Sequence, residues 1–163
     1  SYTLTNAYNY KVYNEWLDEN VFSFGFFAKN TNSLSGKNVK LSDRLYLPSS
    51  KLRGFEAGKV GPKDGADYIG GNYATSINVA TTLPQITPNF QNLDISIFFD
   101  AANVWGVDYN SSLDDESKIR SSAGVAIDFF TMIGPLSFSI TEPITKSKND
   151  LTESFRFNLG TTF

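Results

Sequence analysis

Along most of the chain apolar and polar residues alternate with a period of two, the spacing of a strand whose two faces meet different surroundings. Between Thr3 and Tyr13, Tyr8, Tyr10 and Val12 alternate with Asn9 and Lys11; from Val21 to Lys29, Phe22, Phe24, Phe26 and Ala28 oppose Ser23, Gly25, Phe27 and Lys29. The pattern returns at Tyr73, with Thr75, Ile77, Val79, Thr81 and Leu83 against Ala74, Ser76, Asn78, Ala80 and Thr82. Pro84 and Pro88 end that run, because proline cannot donate to a ladder. Next, Leu93, Ile95, Ile97, Phe99 and Ala101 oppose Asp94, Ser96, Phe98, Asp100 and Ala102, and Ile119, Ala123, Val125, Ile127 and Phe129 oppose Arg120, Ser122, Gly124, Ala126 and Asp128. Leu136, Phe138 and Ile140 face away from Ser137, Ser139 and Thr141, and the chain closes on Phe155, Phe157, Leu159, Thr161 and Phe163 against Ser154, Arg156, Asn158, Gly160 and Thr162.

These segments predict an all-β, antiparallel protein of about seven strands, each near the ~9–11 residues that a tilted strand needs to cross a bilayer. One face is Phe, Leu, Ile, Val and Tyr; the other is Ser, Thr, Asn, Gly, Arg and Asp, the apolar-out, polar-in code of a transmembrane barrel. A soluble barrel carries the same period with the opposite sense. The connections favour the membrane: short ones (14–20, 84–92, 131–135) alternate with long ones (30–71, 107–118, 145–152), as periplasmic turns alternate with extracellular loops. About seven strands is an odd number with two open edges, which lipid does not tolerate, so further strands are expected from elsewhere in the polypeptide or from another copy.

Composition narrows function. The 163 residues include no cysteine and no histidine, which removes disulfides, thiolate nucleophiles, imidazole bases and the commonest zinc ligands; neither an enzyme nor a cofactor is expected. A formal charge of −3 leaves no basic footprint for nucleic acid. No apolar run is long enough for a transmembrane helix. Asp114-Asp115-Glu116 lacks the ligand spacing of a calcium loop and is expected to be a solvated stretch, and Trp16 and Trp105 are expected at the membrane interface.

Lys51-Leu52-Arg53-Gly54-Phe55 stands apart from the pattern: one arginine on a glycine turn, between apolar side chains, in the longest connection. Such an arginine calls for a carboxylate.

Several stretches occur together in a fixed order: Leu52-Arg53-Gly54-Phe55-Glu56, Val60-Gly61-Pro62-Lys63, Gly70-Gly71-Asn72, Phe98-Phe99-Asp100-Ala101-Ala102-Asn103-Val104-Trp105, Ser121-Ser122-Ala123-Gly124-Val125, Gly134-Pro135-Leu136 and Phe155 to Phe163. In this they resemble the C-terminal barrel of the Omp85 family, over nearly the whole chain. The resemblance implies the last seven or so strands of a barrel of about sixteen, with periplasmic POTRA domains and about nine earlier strands lying outside residues 1–163. It implies that the loop of residues 30–71 folds into the lumen, where Arg53, Gly54 and Phe55 dock and Arg53 meets Asp100, a residue that parity alone puts on the polar face. Ala80 stands where the family carries a glutamate, leaving Asp128 or Asp94 to supply a second carboxylate; Ala102 replaces a glycine, and Pro48-Ser49-Ser50 replaces the glycines ahead of the arginine.

The terminal strand resembles the signal by which outer-membrane proteins are recognised, carried by Phe155, Phe157, Leu159, Gly160 and the terminal Phe163. The implied function is folding and inserting β-barrel proteins through a weak lateral seam that templates an incoming strand, in the outer membrane of a Gram-negative bacterium. The implied partners are unfolded outer-membrane proteins, periplasmic and lipoprotein subunits and outer-membrane lipid. A polypeptide-translocating secretion pore of the same superfamily is the alternative.

Overall fold

The structure, a computed structural model, describes residues 3–16 and 20–160. Seven strands form one antiparallel sheet in simple meander order: β1 (Thr3–Trp16), β2 (Asn20–Ser33), β5 (Tyr73–Thr82), β6 (Leu93–Trp105), β7 (Arg120–Thr131), β8 (Gly134–Thr145) and β9 (Phe155–Leu159). A two-stranded hairpin, β3 (Lys63–Asp64) and β4 (Asp67–Tyr68), sits in the long connection between β2 and β5. β1 and β9 are the two edges of the sheet.

The alternation places the faces as read from the sequence. Tyr8, Phe26, Ile77, Ile97, Phe99, Val125, Ile140 and Phe155 are exposed on one side, and Asp100, Ser122 and Ser76 are buried on the other. An apolar outer face of this extent suits lipid and not water, which decides against the soluble barrel.

Two boundaries differ from the sequence reading. β1 runs through Trp16 and β2 begins at Asn20, with these two residues paired, so most of the polar stretch 14–20 belongs to the ladder. β2 likewise continues to Ser33 through Asn30-Thr31-Asn32. Ladder hydrogen bonds are made by the backbone, and polar side chains do not end them; the Asn6 amide even donates to the Asn30 carbonyl oxygen across the pair, at 3.1 Å. Of the predicted run Phe155–Phe163, Phe155–Leu159 is strand, and Gly160 then turns to φ +109° with its N–H on the Pro135 carbonyl. Thr161, Thr162 and Phe163 lie outside the described residues.

The apolar core lies on the inner side of the wall. Leu45, Leu47, Leu52, Phe55 and Val60 of the long connection pack with Phe27 of β2, Ala74 of β5, and Ala102 and Val104 of β6. Burying five such side chains, at roughly 1.5–3 kcal/mol each, is what draws a loop rich in Ser, Asn and Lys into the lumen. Its two feet are tied where Leu45 pairs with Gly71, and Gly71 must be glycine because a Cβ there would lie 2.3 Å from the Trp105 carbonyl oxygen.

Candidate functional site

The docked segment starts with a short 3-10 turn, Ser49–Lys51, set by Pro48, whose carbonyl accepts from the Lys51 N–H at 2.9 Å. Leu52 is then buried and Arg53 faces the wall. The Asp100 carboxylate, fully buried, receives Arg53 Nε and Nη2 at 2.7 Å each, the Arg53 backbone N–H at 3.0 Å and the Asn78 side-chain amide at 2.9 Å. A bidentate guanidinium–carboxylate pair with two further donors fixes orientation as well as charge. The guanidinium carbon also lies 3.5 Å from the centre of the Phe98 ring, a cation–π contact on the same inner face. Phe98 has room because Gly124 lies across from it on β7; a Cβ on Gly124 would come within 2.8 Å of the ring tip.

On its far side the loop meets β7, β8 and the chain leading into β9. Ser122 donates to the Arg53 carbonyl at 2.5 Å. Gly54, at φ +87°, packs so closely on the wall that a Cβ would lie 2.5 Å from Thr141 Cγ2. Phe55 is buried and pairs with Thr152. The Arg156 guanidinium donates to the Phe55 carbonyl at 2.7 Å and to the Ser49 carbonyl at 2.9 Å.

The structure therefore brings Arg53, Gly54, Phe55 and Asp100 into one assembly. Asp128 and Asp94 do not join it: they face each other across β6 and β7, and Asp128 is hydrogen-bonded by Ser137. The place expected of a second carboxylate is filled by Asn78, two residues before Ala80 on the same face, which also donates to the Lys51 carbonyl at 3.0 Å. Sequence reasoning missed Asn78, Phe98, Ser122 and Arg156 as contacts of the loop, although parity had set all four on the inner face. Phe155, Phe157 and Leu159 lie on the outer face, with Phe138 of β8 5.0 Å from Phe157 and 6.4 Å from Phe155 between ring centres. Gly160 ends the strand, and Phe163 is outside the described residues.

Above the loop, a second set of contacts ties the long connections together. Arg120, fully buried, bonds Asp150 (Nε, 2.9 Å), Asn103 (2.8 Å), Glu116 (3.2 Å) and the Glu116 and Lys118 carbonyls. Asp150 also accepts from the backbone N–H groups of Ser147 and Gly61. The stretches 107–118 and 146–150 are thus only partly solvated: Asp114 and Asp115 are exposed, but Glu116 and Asp150 are buried as partners of one arginine. Beside them Arg44 bonds Asp108 at 2.5 Å and Val39 N–H bonds the same carboxylate at 2.9 Å. Burial pushes the Asp108 carboxyl up, but hydrogen bonds from Val39 and Asn72 and the Arg44 charge outweigh it and hold the group below its ordinary 3.8.

Below the loop, a cavity of about 390 Å³ is lined by Ser23, Ser96, Ser137, Ser139, Asn158 and Arg156, among others. Among the described residues no group of His, Cys, Asp and Glu is arranged to hold a metal ion.

An antiparallel meander with an apolar outer face and a loop sealed against its inner face defines part of an outer-membrane β-barrel. The chain belongs to the Omp85 superfamily, whose domain model matches residues 1–163. It is 30% identical over 139 residues to the outer membrane protein assembly factor BamA of Neisseria meningitidis serogroup B, covering 69% of this chain and 17% of that protein. It is 26% identical over 162 residues to the sorting assembly machinery 50 kDa subunit of Saccharomyces cerevisiae, covering 91% of this chain and 33% of the relative. The crystal structure of Haemophilus ducreyi BamA lacking POTRA domains 1–3 superposes with a TM-score of 0.87 at 31% identity, over 99% of this chain and 35% of that one. The chain thus spans between 17% and 35% of the length of these relatives.

Proposed function

We propose that this chain is the C-terminal part of an outer-membrane assembly factor of a Gram-negative bacterium, which folds and inserts β-barrel proteins without enzymatic chemistry. Its seven strands complete a barrel of about sixteen, and preceding POTRA domains and lipoprotein subunits receive unfolded outer-membrane proteins from the periplasm. The observation that carries this reading is the terminal strand: among the described residues β9 pairs with β8 from Phe155 to Leu159, and Gly160, at φ +109°, turns out of the ladder after one last bond to Pro135. A last strand that turns at a glycine is weakly held, and when its seam opens its N–H and C=O groups can pair with an incoming strand, so β-augmentation supplies both recognition and insertion. The docked loop keeps the inner wall rigid beside that seam. Assembly-factor relatives in bacteria and yeast support this reading over a secretion pore.

Depletion of the full-length protein tests it. Bulk porins should fall together in the outer membrane; unchanged porins with loss of one secreted polypeptide would establish the secretion pore instead.

A further inference from the structure

The chain that leads into the last strand is shared between the wall and the loop. β8 continues to Thr145, yet β9 pairs with it only from Phe155 opposite Ile140 to Leu159 opposite Leu136. The Ser154 carbonyl still accepts from the Thr141 N–H of β8 at 2.8 Å, and upstream of it the backbone turns to the loop instead. Glu153 N–H bonds the Gly54 carbonyl at 3.0 Å, Glu56 N–H bonds Leu151 at 2.9 Å and Leu151 N–H bonds Lys59 at 3.1 Å, with Phe55 opposite Thr152. Residues 151–153 therefore make a second, short ladder whose partner is the lumen loop.

Arg156 sits just past this changeover, on the inner face of β9 and opposite Ser139. All three of its nitrogens are used. Nη1 reaches the Ser49 carbonyl, Nη2 the Phe55 carbonyl, and Glu153 holds Nε and Nη2 at 3.1 and 2.9 Å. The loop thus has two arginine anchors of opposite direction. Its own Arg53 grips β6, in the middle of the sheet; the arginine of β9, at the sheet edge, grips the loop backbone.

We propose that Arg156 is a positioning residue that couples the lumen loop to the terminal strand, so that the two leave their docked positions together. The inference rests on the proposed function, in which β9 borders the seam. Movement of β9 by a single residue is about 3.3 Å, well beyond the tolerance of a hydrogen bond, so it breaks the Arg156 contacts, and the loop, then held by Arg53 alone, undocks more readily. Coupling of this kind is reciprocal: whatever loop docking adds to β9 pairing, β9 pairing adds to loop docking.

The test is amide hydrogen exchange of the full-length protein in lipid vesicles, with no substrate present. Asp100→Asn weakens the anchor on β6 and touches nothing in β9. It should nevertheless speed exchange of the Arg156 and Asn158 backbone amides, by about tenfold for loss of one charge-assisted hydrogen bond's worth of docking. Arg156→Gln should speed exchange at Glu56 and Glu153 similarly, and in the doubly substituted protein the Asp100→Asn effect on β9 should vanish. Glu153→Gln, which frees the guanidinium without touching the loop, should give a smaller change of the same pattern. Unaltered β9 exchange in Asp100→Asn would overturn the coupling, and that readout keeps Arg156 intact should its replacement misfold. A uniform rise across β6 and β7 in Arg156→Gln, with no effect of Asp100→Asn on β9, would make Arg156 merely structural and overturn it too. A coupled protein that inserts no porin would instead remove the assembly reading alone.

Discussion

Arg53 and Asp100 form a pair of unequal members. The aspartate side chain is fully buried, while the arginine side chain retains 24% of its exposure. Removing the arginine strands a carboxylate that water cannot reach; removing the negative charge leaves a guanidinium that water can partly solvate. Arg53→Ala should therefore release the loop more completely than Asp100→Asn, at a cost of about 3 kcal/mol, the low end for breaking a buried pair. Trypsin cleavage after Lys51 and Lys59 in the full-length protein measures the order, and equal rates in the two variants would contradict it.

Gly54 tests the same dock by shape. A methyl group there meets Thr141 Cγ2 at 2.5 Å and must adopt φ +87°, which costs an L-residue about 1–2 kcal/mol by itself. Gly54→Ala should expose the loop to trypsin, and adding Thr141→Ser, which deletes the clashing methyl, should restore protection in part. Full restoration would mean that backbone strain contributes nothing.

At the scale of elements, the wall was legible because its two faces see such different surroundings: seven runs of period two became seven strands with the expected faces. Their ends were not legible, because ladders are backbone structures and Asn, Ser and Glu extend them as readily as Phe does. The plug was not legible either. Leu45, Leu47, Leu52 and Val60 follow no repeat, and what gathers them is the inner face of strands distant in sequence. The Arg53–Asp100 contact was reached through parity and family likeness together. Arg120, by contrast, finds Asp150 30 residues downstream, and no local spacing announces that pair.

The loop contacts at Asp108 carry a pH dependence. Its carboxyl titrates below the ordinary 3.8 when folded, so the stability it lends is complete above that value and is lost as pH falls through the lower, folded one. Acidification through that lowered value, below the ordinary 3.8, should loosen the 39–44 segment from Asp108 while the sheet persists. The Val39 amide resonance reports this directly. Asp108→Asn should show the loosened signal at neutral pH and no further change in acid.

For the whole molecule, two different apolar surfaces back one sheet. Outside, Phe, Ile and Tyr side chains require lipid; inside, five loop side chains supply a core that the lumen would otherwise lack. The wall is consequently covered on both sides where the loop docks, and the cavity of mixed lining lies beyond it.

That arrangement has an electrical consequence. A barrel of about sixteen strands is wide enough to carry an aqueous channel. In the proposed full-length barrel, Leu47, Leu52, Phe55 and Val60, packed on the inner face with the loop docked, would narrow that channel, so the protein in a planar bilayer should be nearly silent, with rare and brief current steps. Arg53→Ala should lengthen and multiply those steps, because current then counts the time the loop spends away from Asp100.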